Sequence, residues 1–179
     1  MSDLPSPARS LVRRARHDDV PSLGAVEVDA DTRFAAHGRP ATDEADVIPD
    51  AVARRAVDEG RLWVAEVDGA VVGFAYVGRV GGELCLGQLS VRVEHGRRGL
   101  GGALLDAVVD DARAQGAPSI QLNTESDVPW NAPWYAARGF AVVPEREWTD
   151  AMRAVVDAQR AAGLSWARRV HMRRVLTPR

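Results

Sequence analysis

The chain predicts an α+β fold, and three observations carry that prediction. Two apolar, β-branched runs, RLWVAEV and AVVGFAYVGRV, flank Asp68-Gly69. An Asp-Gly pair between such runs signals a hairpin, because both residues tolerate positive φ. Next, the stretch from Leu89 to Leu105, LSVRVEHGRRGLGGALL, passes from a strand pattern through glycine and arginine into a leucine- and alanine-rich run. Finally, Leu104, Val108 and Ala112 recur at helical spacing ahead of Gly116, the pattern of an amphipathic helix with a glycine stop.

Taken in order, residues 1–9 hold two prolines and small polar residues and read as a flexible tail. Leu11 to Ala15 form a first strand. HDDVPSL then opens a helix, with Asp18 or Asp19 as its cap and Pro21 near its first turn. Residues 36–49, with a glycine, two prolines and scattered acids, suit a loop. A second helix runs from Asp50 to Glu59 and stops at Gly60. The hairpin follows, and ELCLGQLSVRV continues as a third strand of that series after Gly81-Gly82.

Gly99 to Gln115 is the amphipathic helix. SIQLNT is the next strand, and DVPWNAPWYAARGF is a loop leading into a short helix closed by Gly139. FAVV makes another strand, EREWTDAMRAVVDAQRAAG a helix ending at Gly163, and RVHMRRVL a final strand. In that last strand arginines mostly alternate with apolar residues, which predicts a solvated sheet face. With no internal repeat and no interdomain linker, residues 1–179 read as one domain.

Composition narrows the function. The chain has 179 residues, 46% of them apolar and 27% charged, as expected of a soluble globular protein. A net charge of -2 argues against general nucleic-acid or membrane-surface binding. No apolar run approaches a membrane span, and the N-terminus lacks the apolar core of a secretory signal, so the cytoplasm is the expected location. All 23 basic residues other than histidine are arginine. The absence of lysine removes Schiff-base chemistry and the Walker-type phosphate loop together. The single cysteine, Cys85, sits in an apolar strand and reads as a small buried hydrophobe. Four dispersed histidines without ligand spacing predict no metal site.

The glycine-rich joint carries the chemistry. The first N–H groups of a helix have no internal partner, and the helix dipole places partial positive charge there. Glycines let a phosphate approach the backbone, and Arg97 and Arg98 add charge-assisted donors. A dinucleotide fingerprint would need a third glycine where Leu104 stands, and the upstream strands form hairpins instead of a βαβ unit.

Arg97-Arg98-Gly99-Leu100-Gly101-Gly102, with Gly96 where Gln or Arg is usual, resembles the Gln/Arg-x-x-Gly-x-Gly/Ala motif of the GNAT-superfamily N-acetyltransferases. Leu89-Ser90-Val91 matches the strand whose backbone pairs with the pantetheine arm in that family. WNAPWYAARGF resembles the segment whose asparagine, here Asn131, lies near the coenzyme and whose tyrosine, here Tyr135, lies near its sulfur. The matches fall in family order over roughly residues 11–143. The resemblance implies a mixed, mostly antiparallel sheet of six or seven strands flanked by helices, with splayed third and fourth core strands. It implies acetyl-CoA as co-substrate, no metal, and direct attack by an amine in a ternary complex.

Acetyl transfer to an amine requires a neutral amine, a polarised thioester carbonyl and a protonated leaving thiolate. The resemblance makes Tyr135 the general acid and a backbone N–H such as that of Val91 the oxyanion donor. Many relatives carry a glutamate two residues before the Leu-x-Val segment, where this chain has Gly87. Glu125, at the end of the next strand, is therefore expected to act as the base or as an anchor for a cationic substrate, ahead of Glu83 and Glu66. His95 beside the phosphate loop is expected to face solvent near the nucleotide end. Phe34, His37 and Trp130 are candidates for the acceptor pocket, with Trp134 beside them. The expected acceptor is a primary amine on a small molecule. A peptide or protein amine, or a weakly catalytic acyl-CoA sensor, stands as the alternative. Dimerisation is common among relatives, and the last strand is a candidate surface for it.

Overall fold

The computed structural model describes residues 10–38 and 47–177. The expected tail over 1–9 and the middle of the expected loop, 39–46, lie outside the described residues. Among the described residues there are seven strands: β1 (Ser10–Arg14), β2 (Leu62–Val67), β3 (Ala70–Val80), β4 (Glu83–Val91), β5 (Ser119–Glu125), β6 (Ala141–Val142) and β7 (Arg169–Val175). The helices are α1 (Val20–Asp31), α2 (Asp50–Asp58), α3 (Leu100–Ala114), α4 (Ala132–Ala136) and α5 (Asp150–Ala161). The strands follow the order β1-β2-β3-β4-β5-β7-β6. The β4–β5 pair is parallel, whereas β1–β2, β2–β3, β5–β7 and β6–β7 are antiparallel. This is the mixed, mostly antiparallel sheet of seven strands that the resemblance implies. No described helix is long and apolar enough to cross a membrane.

The chain divides into two compact units, Met1–Tyr76 with Gln88–Ala107, and Val77–Gly87 with Val108–Arg179. In the first, the core gathers Val20, Leu23 and Val26 of α1, Ala53 and Ala56 of α2, and Leu62, Val64 and Phe74 of the hairpin. The hairpin turns at Asp68 (φ 49°) and Gly69 (φ 86°), the positive φ pair anticipated for Asp-Gly. α2 ends ahead of Gly60, which adopts φ 63°.

One guanidinium organises the start of this unit. Arg13 on β1 grips Asp19 through Nη1 and Nη2 at 2.7 and 3.0 Å, and Glu66 on β2 through Nη2 and Nε at 2.8 and 3.1 Å. The Arg16 N–H donates to Asp19 as well, at 2.7 Å. Asp19 does stand at the N-cap position of α1, but its carboxylate serves Arg13 and Arg16, and no side-chain cap closes the helix. Arg13 and the Arg16 N–H together hold the buried Asp19 carboxyl below its usual range.

Two features of this unit aim the segment that follows. The β2–β3 register slips between Ala65 and Glu66, which pair with Gly73 and Val71 and skip Val72. The skipped Val72 carbonyl accepts the Arg92 N–H at 2.8 Å, just past the end of β4. At Gly73 an added Cβ would lie 2.9 Å from the Ser90 carbonyl oxygen and 3.0 Å from Val91 Cγ2, so β4 comes closer there than any side chain allows. On α1, Glu27 is buried with the apolar residues and accepts the Ile48 N–H at 3.0 Å.

In the second unit, β4 and β5 share three rungs, Leu84–Leu86 with Ile120–Leu122, and the ladder stops there although both strands run on. By contrast β5 pairs with β7 along its whole length, from Ser119↔Val175 to Glu125↔Arg169. Leu84, Leu86, Ile120, Leu122, Met152 and Met172 are buried. The expectation of a solvated arginine face on β7 is corrected. Arg169 pairs with Glu125 at 2.9 Å and Arg173 with Glu83 at 3.4 Å, both guanidinium groups being largely covered. The sequence shows the alternation but not the acids on the facing strands that absorb it. The helix expected over Glu145–Gly163 begins later, at Asp150. Pro144 precedes a separate 3-10 turn over Glu145–Glu147, and the Thr149 hydroxyl then caps α5 by accepting the Met152 N–H.

Two measurements test these contacts. Gly73→Ala should lower unfolding free energy by about 1–3 kcal/mol, since backbone must move to admit the methyl; an unchanged urea midpoint would show that β4 is not pressed on β3. Burial raises the Glu27 carboxyl from 4.5 to about 7, with the Ile48 N–H opposing and Asp31 adding repulsion. The folded state therefore holds a proton that the unfolded chain releases earlier. The stability this group contributes is complete below pH 4.5 and is lost as pH rises through about 7. Glu27→Gln should flatten that part of the stability–pH curve, read from denaturation midpoints at pH 5 and 8.

Candidate active site

The glycine-rich joint is built inside the first unit. After the Arg92 N–H reaches Val72, the Val93 N–H donates to Asp29 Oδ2 at 2.7 Å. One 3-10 turn, Val93–His95, follows and closes with Gly96 N–H to the Val93 carbonyl at 3.0 Å. From Arg97 through Gly102 no backbone N–H has an acceptor among the described residues. The next satisfied donor is Ala103, to Gly99 O at 2.9 Å, the first bond of α3.

That run of six donors is what an oxyanion chain such as a pyrophosphate requires. Arg97 at φ 58° and Gly99 at φ 85° place left-handed backbone within this run, the conformation from which anion-binding nests are built. Arg97 is one of two described non-glycine residues with positive φ, and the strain sits at the candidate phosphate contact. Its side chain and that of Arg98 are exposed, while Leu100 is buried and seats the first turn of α3 in the core. At Gly99 a Cβ would meet no atom within 4 Å, so the space over the loop is open. These residues fit a nucleotide pyrophosphate.

Upstream, Leu89, Ser90 and Val91 lie beyond the end of the β4–β5 ladder. Ser90 is buried and its hydroxyl accepts from Gln88 Nε2 at 2.9 Å. Phe34 and His37 belong to a 3-10 stretch, Thr32–His37, that continues α1. Phe34 is half-buried and His37 exposed. His95 is half-buried, with Nε2 3.5 Å from Glu94.

The remaining candidates belong to the second unit. Asn131 heads α4, and its carbonyl accepts the Tyr135 N–H at 3.0 Å. Tyr135 is buried edge-on between Trp134 and Phe140, at 4.9 and 5.6 Å between ring centres. Burial pushes its phenol well above the ordinary range, and among the described residues its hydroxyl has no hydrogen-bond partner. Glu125 ends β5, buried against Arg169. The same guanidinium donates to Asn123 Oδ1 at 2.7 Å, and Asn123 accepts from Gln159, which accepts from the Trp166 indole. Trp130 is half-buried, and Gly87 is exposed. Cys85 is buried, with its thiol pushed up to about 11, as expected for a packing residue. No metal-ligand cluster occurs among the described residues.

Reading the sequence singles out neither Glu27 nor Asp29. The signal for Glu27 is present, since Leu23, Val26, Glu27 and Ala30 share one buried helical stripe and a carboxylate there breaks the pattern. Asp29 gives no such signal, because its partner is 64 residues away.

Residues 58–142 match the model of an acetyltransferase (GNAT) domain. Several solved structures share the fold. N-acetylglutamate synthase from Neisseria gonorrhoeae, complexed with coenzyme A and N-acetyl-glutamate, is 19% identical with a TM-score of 0.66 over 96% of this chain; the chain spans 36% of that protein's length. Ribosomal-protein-alanine N-acetyltransferase from Brucella melitensis is 19% identical with a TM-score of 0.64, covering 93% of this chain and 99% of its own. PaiA N-acetyltransferase from Thermoplasma acidophilum, in complex with coenzyme A, is 14% identical with a TM-score of 0.63, covering 93% and 99%. Residues 58–142, which hold the glycine-rich joint, are thus similar to a GNAT acetyltransferase domain.

Proposed function

We propose that the chain transfers the acetyl group of acetyl-CoA to a primary amine on a small molecule, by direct attack within a ternary complex. The observation that carries this reading is the run of six unsatisfied N–H groups from Arg97 to Gly102 between a strand and a fifteen-residue helix. Acetyl-CoA supplies an acetyl group activated as a thioester; the rest is done by the chain. Arg97, Arg98 and the N–H groups of Gly99, Leu100, Gly101 and Gly102 bind the pyrophosphate. Leu89, Ser90 and Val91 orient the pantetheine arm through their backbone, and the Val91 N–H polarises the acetyl carbonyl. Asn131 steadies the coenzyme from the head of α4.

Tyr135 protonates the departing sulfur. A phenol whose ionisation is opposed by burial stays a proton donor at every physiological pH, which suits a general acid. Gly87 can neither take a proton nor hold a water by a side chain, so the acceptor ammonium is assigned to Glu125, as base or as anchor. Phe34, His37 and Trp130 are assigned to acceptor binding. The full-length likeness to a ribosomal-protein-alanine N-acetyltransferase favours a second reading, acetylation of a peptide N-terminus. A third, an acyl-CoA sensor, draws on the missing side chain at Gly87.

Thiol release from acetyl-CoA, followed over a panel of small amines and short peptides, separates the three. Turnover with small amines is expected; peptides alone as acceptors would establish the second reading, and coenzyme binding without thiol release the sensor. In the same assay Tyr135→Phe should lower kcat by about 10²–10⁴ while leaving KM for acetyl-CoA close to the parent value. Glu125→Gln should lower kcat/KM for the amine by roughly 10²-fold at neutral pH. Full activity in that variant would remove Glu125 from the mechanism.

A further inference from the structure

α1 carries two carboxylates, two residues apart, that leave the helix to hold separate pieces of backbone. Glu27 takes the Ile48 N–H at 3.0 Å, and Asp29 takes the Val93 N–H at 2.7 Å. The second bond has a particular address. Val93 opens the 3-10 turn between the strand Leu89–Val91 and the loop Arg97–Gly102, and the turn's own N-cap residue, Arg92, supplies no side-chain cap. Asp29 therefore caps that turn from another element. Its own position is fixed in turn, because its carbonyl accepts both the Thr32 N–H and, at 2.6 Å, the Thr32 hydroxyl.

Beyond this turn the chain makes few attachments. Gly96 bonds back to Val93, and then no N–H is satisfied until Ala103 among the described residues. The direction in which the six free donors emerge is thus set by α3 at one end and, at the other, by the Val72 carbonyl and Asp29. We propose that Asp29 is a positioning residue for coenzyme binding: by capping Val93 it holds the loop Arg97–Gly102 in the conformation that receives the pyrophosphate. The proposal rests on the reading of that loop as the phosphate site. Asp29 works through Val93 and takes no part in the transfer itself. It acts as an acceptor, so an amide oxygen in its place still caps the turn, whereas a methyl group leaves the Val93 N–H without a partner.

The test compares the parent protein, Asp29→Ala and Asp29→Asn by calorimetric titration with coenzyme A, with steady-state kinetics on acetyl-CoA and on S-acetylpantetheine, which lacks the pyrophosphate. Asp29→Ala should raise Kd for coenzyme A and KM for acetyl-CoA by roughly tenfold with kcat at saturation little changed. Asp29→Asn should stay within about threefold of the parent. With S-acetylpantetheine all three should share one kcat/KM. An unchanged Kd in Asp29→Ala overturns the proposal, and so does an equal loss on both donors, the mark of general damage. If Asp29→Ala does not fold, Asp29→Ser, too short to reach Val93, takes its place under the same criteria. A parent protein that does not titrate with coenzyme A overturns the phosphate-site reading itself, an outcome distinct from equal binding by parent and variant.

Discussion

The contact on which the candidate site depends is the approach of β4 to Gly73. A backbone oxygen lies where any other residue would place its Cβ, and the bulge that skips Val72 presents a spare carbonyl to Arg92. Neither feature is chemical in the sense of catalysis. Together they decide where Leu89–Val91 ends and from which point the loop to α3 departs. A regular hairpin would keep the Val72 carbonyl in its ladder, and the loop would leave the strand without that tether.

The loop is held by its ends and left unsatisfied along its middle. Unpaired N–H groups are costly when buried, so a folded protein keeps such a run only where solvent or a ligand completes it. Exposed Arg97 and Arg98 open the run with permanent charge, and the positive φ at Arg97 shows backbone held in a conformation that a side chain resists. Stability is drawn instead from the clamps at its ends: Asp29 with Val93, and Leu100 buried at the first turn of α3.

Much of the fold was legible in the sequence, for a local reason. Asp68-Gly69, Gly81-Gly82, Gly116 and Gly139 punctuate it, and each occupies the positive φ that its position in the pattern implies. The candidate phosphate loop was legible too, because a helix mouth and its glycines are contiguous. What could not be read was pairing between distant residues. The arginines of β7 look like a solvated face until Glu125 and Glu83 are found beside them. Asp19 looks like a helix cap until Arg13 claims it. The start of α5 was misplaced because a 3-10 turn after Pro144 has the composition of a helix without its continuation.

The exposed arginines of the loop carry one more consequence. A thioester reacts with unprotonated amines, and a lysine set beside it would be an internal nucleophile competing with the intended acceptor. A guanidinium keeps its proton at any working pH and attracts phosphate without attacking an acyl group. In a chain whose 23 side-chain cations outside histidine are all arginine, positive charge is uncoupled from amine nucleophilicity. If the loop receives the coenzyme as proposed, positive charge would surround the acyl donor while the chain offers it no lysine side chain to modify.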